Sequence, residues 1–546
     1  MKKTLKSDSG VVLLVCLAIL FMLSLIGIAS ITTSNTDMRI ADNEYKMTGA
    51  FYAAESGLEK AAVEIWQSYS SSGAPPSPLP SDTMSELNYT YGYSTVDGGP
   101  AVPGVLTGGA YQGLVGYLKT FTISSIGTDN TSVAGVELNM TVQDASIPIF
   151  QFAVFYQNDL EMSPLADLLL GGRVHTNGNM YLQAGDDLYI NSFLTASGSI
   201  FHGPKEGSGL PTSMRDVWIK DATDIYMSMQ NHDHTFLDAL SESWVTESLN
   251  RWGGRVEDGN HGITELYMPV VSSGGPTNLI DRGDGNPDSY EHDAGLKIID
   301  GQALYKAGDI WINITGILTA SGAMTTGHFY DAREGKDAYT VDLDISRLNV
   351  SGYFPSNGII YASTAYSPSQ VNGLRLVNGS QLANALTVAT DNPLYTVGDF
   401  NTMDQRPAAL ISDAFTVLSN GWNDERSWGS PPDRQATQTR INASYITGNT
   451  ETGADGYGYN GGFENLPRFL EQWTGVNFVW RGSAANLWYS RQNIAGWSTD
   501  YFSPPNLDWA FDISLLDPAK LPPGTPMANV VQRTRWSQKI HPAPRL

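Results

Sequence analysis

The residue types best suited to bind a metal ion lie together in one acidic loop. The loop reads Asp281-Arg282-Gly283-Asp284-Gly285-Asn286-Pro287-Asp288. Ca²⁺ takes several oxygen ligands from a flexible loop, and Asp281 followed by the alternating Asp284, Asn286 and Asp288 could supply them. The loop does not continue as an EF-hand, because the twelfth position counted from Asp284 is not a glutamate. The pattern therefore makes these four residues a candidate calcium site, with an acidic, solvated turn as the alternative.

Histidine spacing offers a second candidate for metal binding. His232 and His234 would share one face of a strand, as a metal pair requires. Asp233 precedes a run with helical periodicity, however, so the same residues also fit the polar start of a helix. We favour the helix start, and we expect His175 to make a structural hydrogen bond in a turn.

No catalytic motif is present in the sequence. It contains no nucleophile elbow, zinc-protease helix, phosphate-binding loop or dinucleotide fingerprint. The carboxylate pairs Asp342 with Asp344 and Asp186 with Asp187 could be assigned to polysaccharide cleavage, but nothing distinguishes them from turn carboxylates. The sequence predicts a non-enzymatic protein. Its 13 Trp and 26 Tyr keep open an alternative, a membrane-anchored protein that binds or cleaves carbohydrate.

The element that must position everything else is an apolar helix near the N-terminus. Residues 11–31 read VVLLVCLAILFMLSLIGIASI and carry no charge. As a helix this stretch is about 30 Å long, the thickness of one hydrocarbon core. Lys2, Lys3 and Lys6 precede it, so the N-terminus is expected in the cytoplasm and the rest of the chain outside.

The helical pattern continues beyond the membrane segment. Small and apolar residues recur at steps of three and four, whereas Glu55 belongs to the opposite face. The members of this stripe include Ala50, Ala53, Ala54, Gly57 and Leu58. Because the side chains are small, whatever packs on the stripe can approach the helix closely.

These features resemble the type IV pilin class, and most closely the PilX-type N-terminal domain of pilus assembly proteins. The resemblance rests on the short basic leader ending in Gly10, the apolar helix that starts at Val11, and FYAAESGLEKA some 40 residues further on. It implies that a prepilin peptidase cleaves between Gly10 and Val11. It also implies that the helix, including Val15 and the stripe at 50–58, packs against other pilins in a filament.

The chain departs from the pilin pattern at the fifth mature position. Major pilins carry a glutamate there, where this sequence has Val15. The chain therefore looks like a minor component, a capping or tip subunit similar to GspK-like pseudopilins. The alternative is a plain N-terminal anchor without a role in a filament.

Composition limits the partners and the compartment. The net charge is −24 over 546 residues, which argues against nucleic acid as a partner. Cys16, the one cysteine, lies inside the apolar helix, so the exterior contains no disulfide. We expect a single-pass inner-membrane protein whose partners are other pilins, the pilus assembly machinery and the prepilin peptidase. Its exterior would be periplasmic or displayed on the cell surface.

The domain plan follows from these segments. Residues 1–10 are a leader, and residues 11–145 are a pilin-like module of one long helix and a small antiparallel sheet. Residues 146–400 form a β-rich exterior, and residues 401–546 a C-terminal extension packed on it. The fold class is α+β, mostly β.

Repetition indicates the architecture of the exterior. Short apolar pulses are separated by Gly or Asn, and the phrase LTASG occurs at both 194–198 and 318–322. This pattern favours an irregular β-solenoid, with a β-sandwich as the alternative. The solenoid would be interrupted at 203–300, with helical pieces at 234–249 and 465–475.

Overall fold

The computed structural model describes residues 9–131, 135–213, 215–268, 275–283, 285–454 and 458–541. One uninterrupted helix opens the chain, and a small sheet packs on its second half. A large β-rich body follows that sheet. The long apolar helix and the multi-sheet β-rich region confirm the predicted fold class.

Helix α1 (Ser9–Ser72) is 64 residues long, which corresponds to about 95 Å. Residues 10–45 are exposed on every side, and burial begins only near Ala50. The helix ends before Gly73, whose φ of +64° closes the last turn. The Gly73 amide donates a 2.9 Å hydrogen bond to the Tyr69 carbonyl there.

An antiparallel head sheet covers the second half of α1. In the described residues its strands are β1 (Ser81–Glu86), β2 (Tyr89–Asp97), β3 (Val102–Val105), β4 (Val115–Asp129), β5 (Gly135–Pro148) and β34 (Met527–His541). Strands β4 and β5 alternate buried apolar and polar residues, as a sheet with one covered face requires. Phe121, Ile123, Leu138 and Val142 pack from this face onto Leu58 and its neighbours in α1.

Small residues let the helix and the sheet approach each other closely. A side chain at Gly127 in β4 would place its Cβ 2.6 Å from the Ala54 amide nitrogen and against the Ala50 carbonyl. A side chain at Gly57 would meet Ser125 in the same strand. Glycine is therefore required on both partners at this contact.

The body is a β-solenoid whose first part runs from residue 152 to residue 257. Its strands are β6 (Phe152–Tyr156), β7 (Leu160–Met162), β8 (Leu168–Leu170), β9 (Arg173–Thr176), β10 (Met180–Leu182), β11 (Leu188–Ile190), β12 (Leu194–Ala196), β13 (Ile200–His202), β14 (Val217–Lys220), β15 (Tyr226–Ser228) and β16 (Val256–Glu257), with helix α2 (Trp244–Trp252) before β16. Leu160, Met180 and Ile200 occupy equivalent positions in three parallel strands. The spacing of 20 residues is one turn of the solenoid.

Polar side chains repeat with the same period and join successive turns. The Asn179 amide donates to Asp159 Oδ1 at 2.8 Å, and the Ser199 amide donates to Asn179 Oδ1 at 2.9 Å. His175 accepts or donates at both ring nitrogens, to Thr195 at 2.8 Å and to Asn177 at 3.0 Å. His175 therefore makes the expected structural hydrogen bonds, but it lies in strand β9 and not in a turn.

The second part of the body runs from residue 290 to residue 511. Its helices are α3 (Tyr290–Asp293), α4 (Thr315–Ala320) and α5 (Ile345–Val350). Its strands are β17 (Leu296–Ile299), β18 (Gln302–Ala307), β19 (Ile310–Asn313), β20 (Met324–Asp331), β21 (Lys336–Asp344), β22 (Ile359–Ser363), β23 (Val371–Val377), β24 (Leu386–Thr390), β25 (Leu394–Val397), β26 (Ala408–Ser412), β27 (Phe415–Leu418), β28 (Thr439–Asn442), β29 (Ser444–Thr447), β30 (Arg468–Phe469), β31 (Asn477–Gly482), β32 (Ala484–Asn486) and β33 (Asn506–Phe511).

The two parts form one continuous stack in which chain order and spatial order differ. Strand β32, near the end of the second part, pairs in parallel with β6, the first strand of the first part. Across the described residues the long sheet therefore runs β16-β12-β9-β6-β32-β29-β26-β24-β22-β17, with the β18–β19 hairpin at its edge. The segment after β16 travels back along the stack, where the Leu266 amide donates to Asn177 and Tyr361 donates to the Ile280 carbonyl.

The C-terminal region differs from the sequence-based plan. Residues 401–546 were expected to form an extension packed on the solenoid, but β26 to β33 are turns of the solenoid itself. The last strand, β34, pairs with β5 over its whole length and completes the head sheet. Strands β5 and β34 are neighbours in the head sheet, although the whole solenoid lies between them in the sequence. The solenoid is therefore an insertion between two paired strands of the head.

Four local predictions are also corrected. The helix expected over 234–249 is the shorter α2, and the one expected over 465–475 is strand β30 after a single 3-10 turn (Phe463–Asn465). The second LTASG phrase ends helix α4 rather than forming a solenoid strand. Residues 203–300 include β14, which pairs with β11, so the stack continues into the predicted insertion.

We predict that Gly127→Val destabilises the head, because the added side chain must displace the α1 backbone. Overpacking of this kind costs about 1–3 kcal/mol. Thermal unfolding of the detergent-solubilised full chain measures the effect. The matched control is Gly92→Ala, whose Cβ would have no neighbour closer than the Thr83 hydroxyl at 3.3 Å. Equal melting temperatures for the two variants would contradict the close contact.

Candidate functional site

The first half of α1 presents a large apolar surface without a partner inside the chain. Val11 is 66% exposed, Val15 50% and Phe21 65%. In the described part of the chain, α1 is the one helix long and apolar enough to cross a membrane. A helix that is apolar on all sides requires lipid or other helices around it. Gly10 and Val11 lie at the accessible start of this surface.

The small-residue stripe packs on the head sheet of its own chain, whereas the resemblance implied that it packs on other pilins. Ala50, Ala54 and Leu58 have no exposed surface, and Ala53 and Gly57 are also buried. The head sheet of the same chain covers them, so they cannot also contact a neighbouring pilin. Of the residues expected to pack in a filament, Val15 is exposed and Glu55 is half-buried. Those two remain candidates for contacts between subunits.

The acidic loop is tied into the solenoid by its own side chains. Asp281 forms a 2.6 Å ion pair with Arg491. Asn286 donates to the Asn278 carbonyl at 3.1 Å, and its Oδ1 accepts from the Asp288 amide at 3.0 Å. Asp284 lies outside the described residues. Where the chain is described, no group of three or more His, Cys, Asp or Glu side chains could hold a metal ion.

The other predicted polar candidates are used structurally. His232 and His234 are exposed in the turn after β15, on neither a strand nor a helix, and His234 has a φ of +65°. Asp342 is buried and pairs with Arg375, and Asp344 caps α5 by accepting from the Arg347 amide at 3.0 Å. These two carboxylates are therefore already committed within the fold.

The structure brings together a Ser-His-Asp arrangement that the sequence did not reveal. Ser248 Oγ lies 2.6 Å from His261 Nε2, and His261 Nδ1 lies 2.9 Å from Asp258 Oδ1. This is the connectivity of a hydrolase triad. The three residues stand on α2 and on the following turn without any local motif, so sequence reading could not select them. Ser248 and His261 are 13 residues apart in the sequence. They come into contact because the chain reverses direction after α2.

Burial shows that this arrangement holds the fold together. Ser248 and Asp258 have no exposed surface, and the His261 side chain is 3% exposed. Trp244 Nε1 donates to Asp258 at 2.9 Å, and Asp258 caps the 3-10 turn Gly259–His261. A serine without exposed surface cannot reach a substrate carbonyl, so the arrangement fastens α2 to the segment that follows it.

Burial favours the protonated form of several carboxyl groups in the solenoid and of one in the head sheet. Burial raises the pKa of Glu464 to about 8 and the pKa values of Glu161 and Glu471 to about 7. Burial also raises the pKa of Asp144 to about 7 and that of Asp391 to about 6. One oxygen of Glu464 accepts a 2.8 Å hydrogen bond from Tyr459, whose own pKa burial raises far above its usual value.

We predict that Ser248→Ala lowers the free energy of unfolding by about 1–3 kcal/mol, because it leaves the buried His261 Nε2 without its partner. Denaturant unfolding of the full chain measures this change. The control is Ser243→Ala, since Ser243 precedes α2 without a side-chain capping bond. A fluorophosphonate probe should not label wild-type Ser248, and covalent labelling at this residue would contradict the structural role.

We predict that the melting temperature falls as the pH rises from 5.5 to 8.5. Between these values the folded chain keeps protons on its buried carboxylates that the unfolded chain, with pKa values near 4, has released. Stability therefore decreases as each raised folded pKa is passed.

Glu464→Gln removes one of these groups and should flatten the pH dependence. Glu206→Gln, at an exposed position, should leave it unchanged. A melting temperature that rises with pH in the wild type would contradict the raised pKa values.

Comparison with known proteins gives one family match. Residues 9–59 match the model of the PilX N-terminal region. No curated protein matches the chain. Among solved structures, the chain is similar to the crystal structure of the competence-associated pilin ComZ from Thermus thermophilus. The identity is 12%, the match covers 91% of this chain and 98% of that chain, and the TM-score is 0.27.

The two comparisons differ in weight. A TM-score of 0.27 does not establish a shared fold. The family match is local, but it covers the glycine, the apolar helix and the AAE segment on which the sequence resemblance rested. Residues 9–59 therefore form a PilX N-terminal, type IV pilin-like segment, as the sequence predicted.

Proposed function

We propose that the chain is a non-enzymatic minor subunit of a type IV pilus or pseudopilus that displays its solenoid outside the cell. The observation that carries the proposal is the exposed apolar surface of residues 11–31, which lies within the segment that matches the PilX N-terminal model. In the membrane, lipid covers this surface. In a filament, the corresponding helices of other pilins replace the lipid, and packing takes over from solvation by hydrocarbon.

The proposed topology and partners follow from the ends of the helix. Lysines 2, 3 and 6 keep the N-terminus in the cytoplasm of the cell, so the head and solenoid lie in the periplasm or on the surface. A prepilin peptidase cleaves between Gly10 and Val11. The mature helix then joins other pilins under the action of the pilus assembly machinery.

Two features support a rare subunit at the tip rather than a repeated one. The head carries a solenoid of more than 350 residues between β5 and β34, which is large to repeat along a thin filament. Val15 replaces the glutamate that places each major pilin in register with its neighbour. Without that carboxylate, insertion into the middle of a filament loses a specific contact, whereas a capping position does not need it.

The fold suits a displayed structure that carries load. The solenoid is attached through β5 and β34, which pair with each other over their whole length. Met527 of β34 lies opposite Pro148 of β5, so both covalent links to the solenoid leave the head at the same end of this strand pair. Arg533 of β34 also forms an ion pair with Glu59 of α1, which joins the C-terminal strand to the helix directly.

We predict that the mature chain begins at Val11 only in cells that contain the prepilin peptidase. Mass measurement and N-terminal sequencing of the membrane-extracted protein test this. Gly10→Leu should leave the chain unprocessed. Gly27→Leu is the matched control, because both glycines lie on the exposed part of α1 and neither would have a neighbour within 4 Å of an added Cβ.

The outcomes separate the proposal from a plain anchor. A chain that begins at Met1 with and without the peptidase rules out the pilin-like role. A chain that is processed but absent from purified filaments rules out a subunit role while leaving the processing intact. Processing together with a few copies per filament, counted by quantitative mass spectrometry, supports the minor subunit.

A further inference from the structure

A lysine and an aspartate on different turns of the solenoid form a contact that is largely shielded from solvent. Lys205 Nζ lies 2.9 Å from Asp159 Oδ2, and the two side chains are 17% and 23% exposed. Asp159 immediately precedes strand β7, and Lys205 lies in the segment that follows β13. The contact therefore joins two segments that are distant in the sequence.

The carboxyl group of Asp159 is held in a fixed orientation. Its Oδ1 accepts a 2.8 Å hydrogen bond from the Asn179 amide, and its Oδ2 faces Lys205. A backbone N–H in this position stabilises the negative charge that develops on Oδ1 when a nucleophile attacks the carboxyl carbon, Cγ. Asp159 is therefore placed as an electrophile beside the nitrogen of Lys205.

A buried carboxyl group lies beside this pair. Glu161 follows Asp159 by two residues at the start of β7, so the two side chains point to the same face. Glu161 is 4% exposed, and its Oε2 has no hydrogen-bond partner among the described residues. Burial raises the pKa of Glu161 to about 7, while Lys205 lowers this pKa and Asp159 raises it, so both charges lie near. At neutral pH Glu161 can therefore donate a proton.

Lys205 and Asp159 are an ion pair before any reaction. Burial lowers the pKa of Lys205, but the hydrogen bond to Asp159 and its charge raise this pKa more, so the net shift is upward. Transfer of one ammonium proton to Asp159 Oδ2 gives a neutral amine and a neutral acid, the forms that react. Their reaction removes two charges that are costly to keep away from water. The fixed contact also replaces a bimolecular encounter and so lowers the barrier.

We propose that Lys205 and Asp159 condense to form an isopeptide bond, with Glu161 as the proton donor. Lys205 Nζ attacks Asp159 Cγ, and the N–Cγ bond forms. Glu161 donates its proton to the Oδ2 hydroxyl, which leaves as water when the Cγ–Oδ2 bond breaks. Glu161 then recovers a proton from Nζ. The net change converts the ion pair into an amide and one water molecule, and it consumes no oxidant and no second reactant.

This bond gives the body a covalent link that its cysteine content cannot supply. The single cysteine, Cys16, lies in α1, so the solenoid contains no disulfide. A link between Asp159 and Lys205 closes a loop of the chain and restricts the unfolded state, as a disulfide does. It also fastens the segment after β13 to an earlier turn of the stack. The proposal does not depend on the pilus role.

The test is the intact mass of the detergent-solubilised full chain, followed by protease digestion. We expect the wild type to be lighter by one water molecule than its sequence from the observed N-terminus, and the digest to contain a branched peptide that joins Asp159 to Lys205. Lys205→Arg keeps the ion pair but removes the nucleophilic amine, and Glu161→Gln removes the donated proton. Both variants should retain the water, and their melting temperatures should fall by about 3 °C or more.

Lys46 and Asp42 of α1 provide an internal control in the same digest. Their N–O distance is 2.7 Å, but the Asp42 side chain is 57% exposed, so this pair should remain an ion pair. A wild-type chain that retains the water would overturn the proposal. Loss of water without the branched peptide would also overturn it, because a cyclic succinimide at Asp159 gives that result. An equally abundant branched peptide in Glu161→Gln would overturn the role of Glu161.

Discussion

The architecture depends on the close contact between the second half of α1 and the head sheet. The two halves of this helix differ in what covers them. Residues 10–45 find no partner in the chain, whereas the stripe from Ala50 onward is sealed by β4 and β5. Gly127 and Gly57 allow the sheet to approach the helix backbone, which makes the junction between α1 and the head rigid. The position of the solenoid relative to α1 therefore depends on this contact.

The C-terminal strand extends the same constraint to the whole body. A solenoid attached only through β5 could swing on the short 3-10 turn Ile149–Gln151 that follows it. Pairing of β34 with β5, and of β32 with β6, fixes both ends of the inserted segment to the same side of the head. Strand β34 must therefore pair with residues that lie some 390 positions earlier in the sequence. This pairing is among the least local contacts in the molecule.

The sequence predicted the features that local pattern controls. The apolar helix, the small-residue stripe and the solenoid turns all follow from periodicity within short windows. The helix expected over 465–475 and the second LTASG strand were wrong locally, because a short apolar run fits a helix or a strand equally well. The larger features that the sequence missed were non-local. The stacking of β32 under β6, the return of β34 to the head and the Ser248–His261–Asp258 contact each join segments that no window contains. The small-residue stripe is the clearest example. Its small side chains predicted close packing, but they could not predict which surface would pack on them.

Burial keeps several side chains that resemble catalytic groups out of contact with any substrate. Ser248, Asp342 and Glu464 have the side chains of catalysts, yet each is enclosed and engaged with the fold. A buried carboxyl beside a tyrosine hydroxyl stays protonated because water cannot solvate its charge.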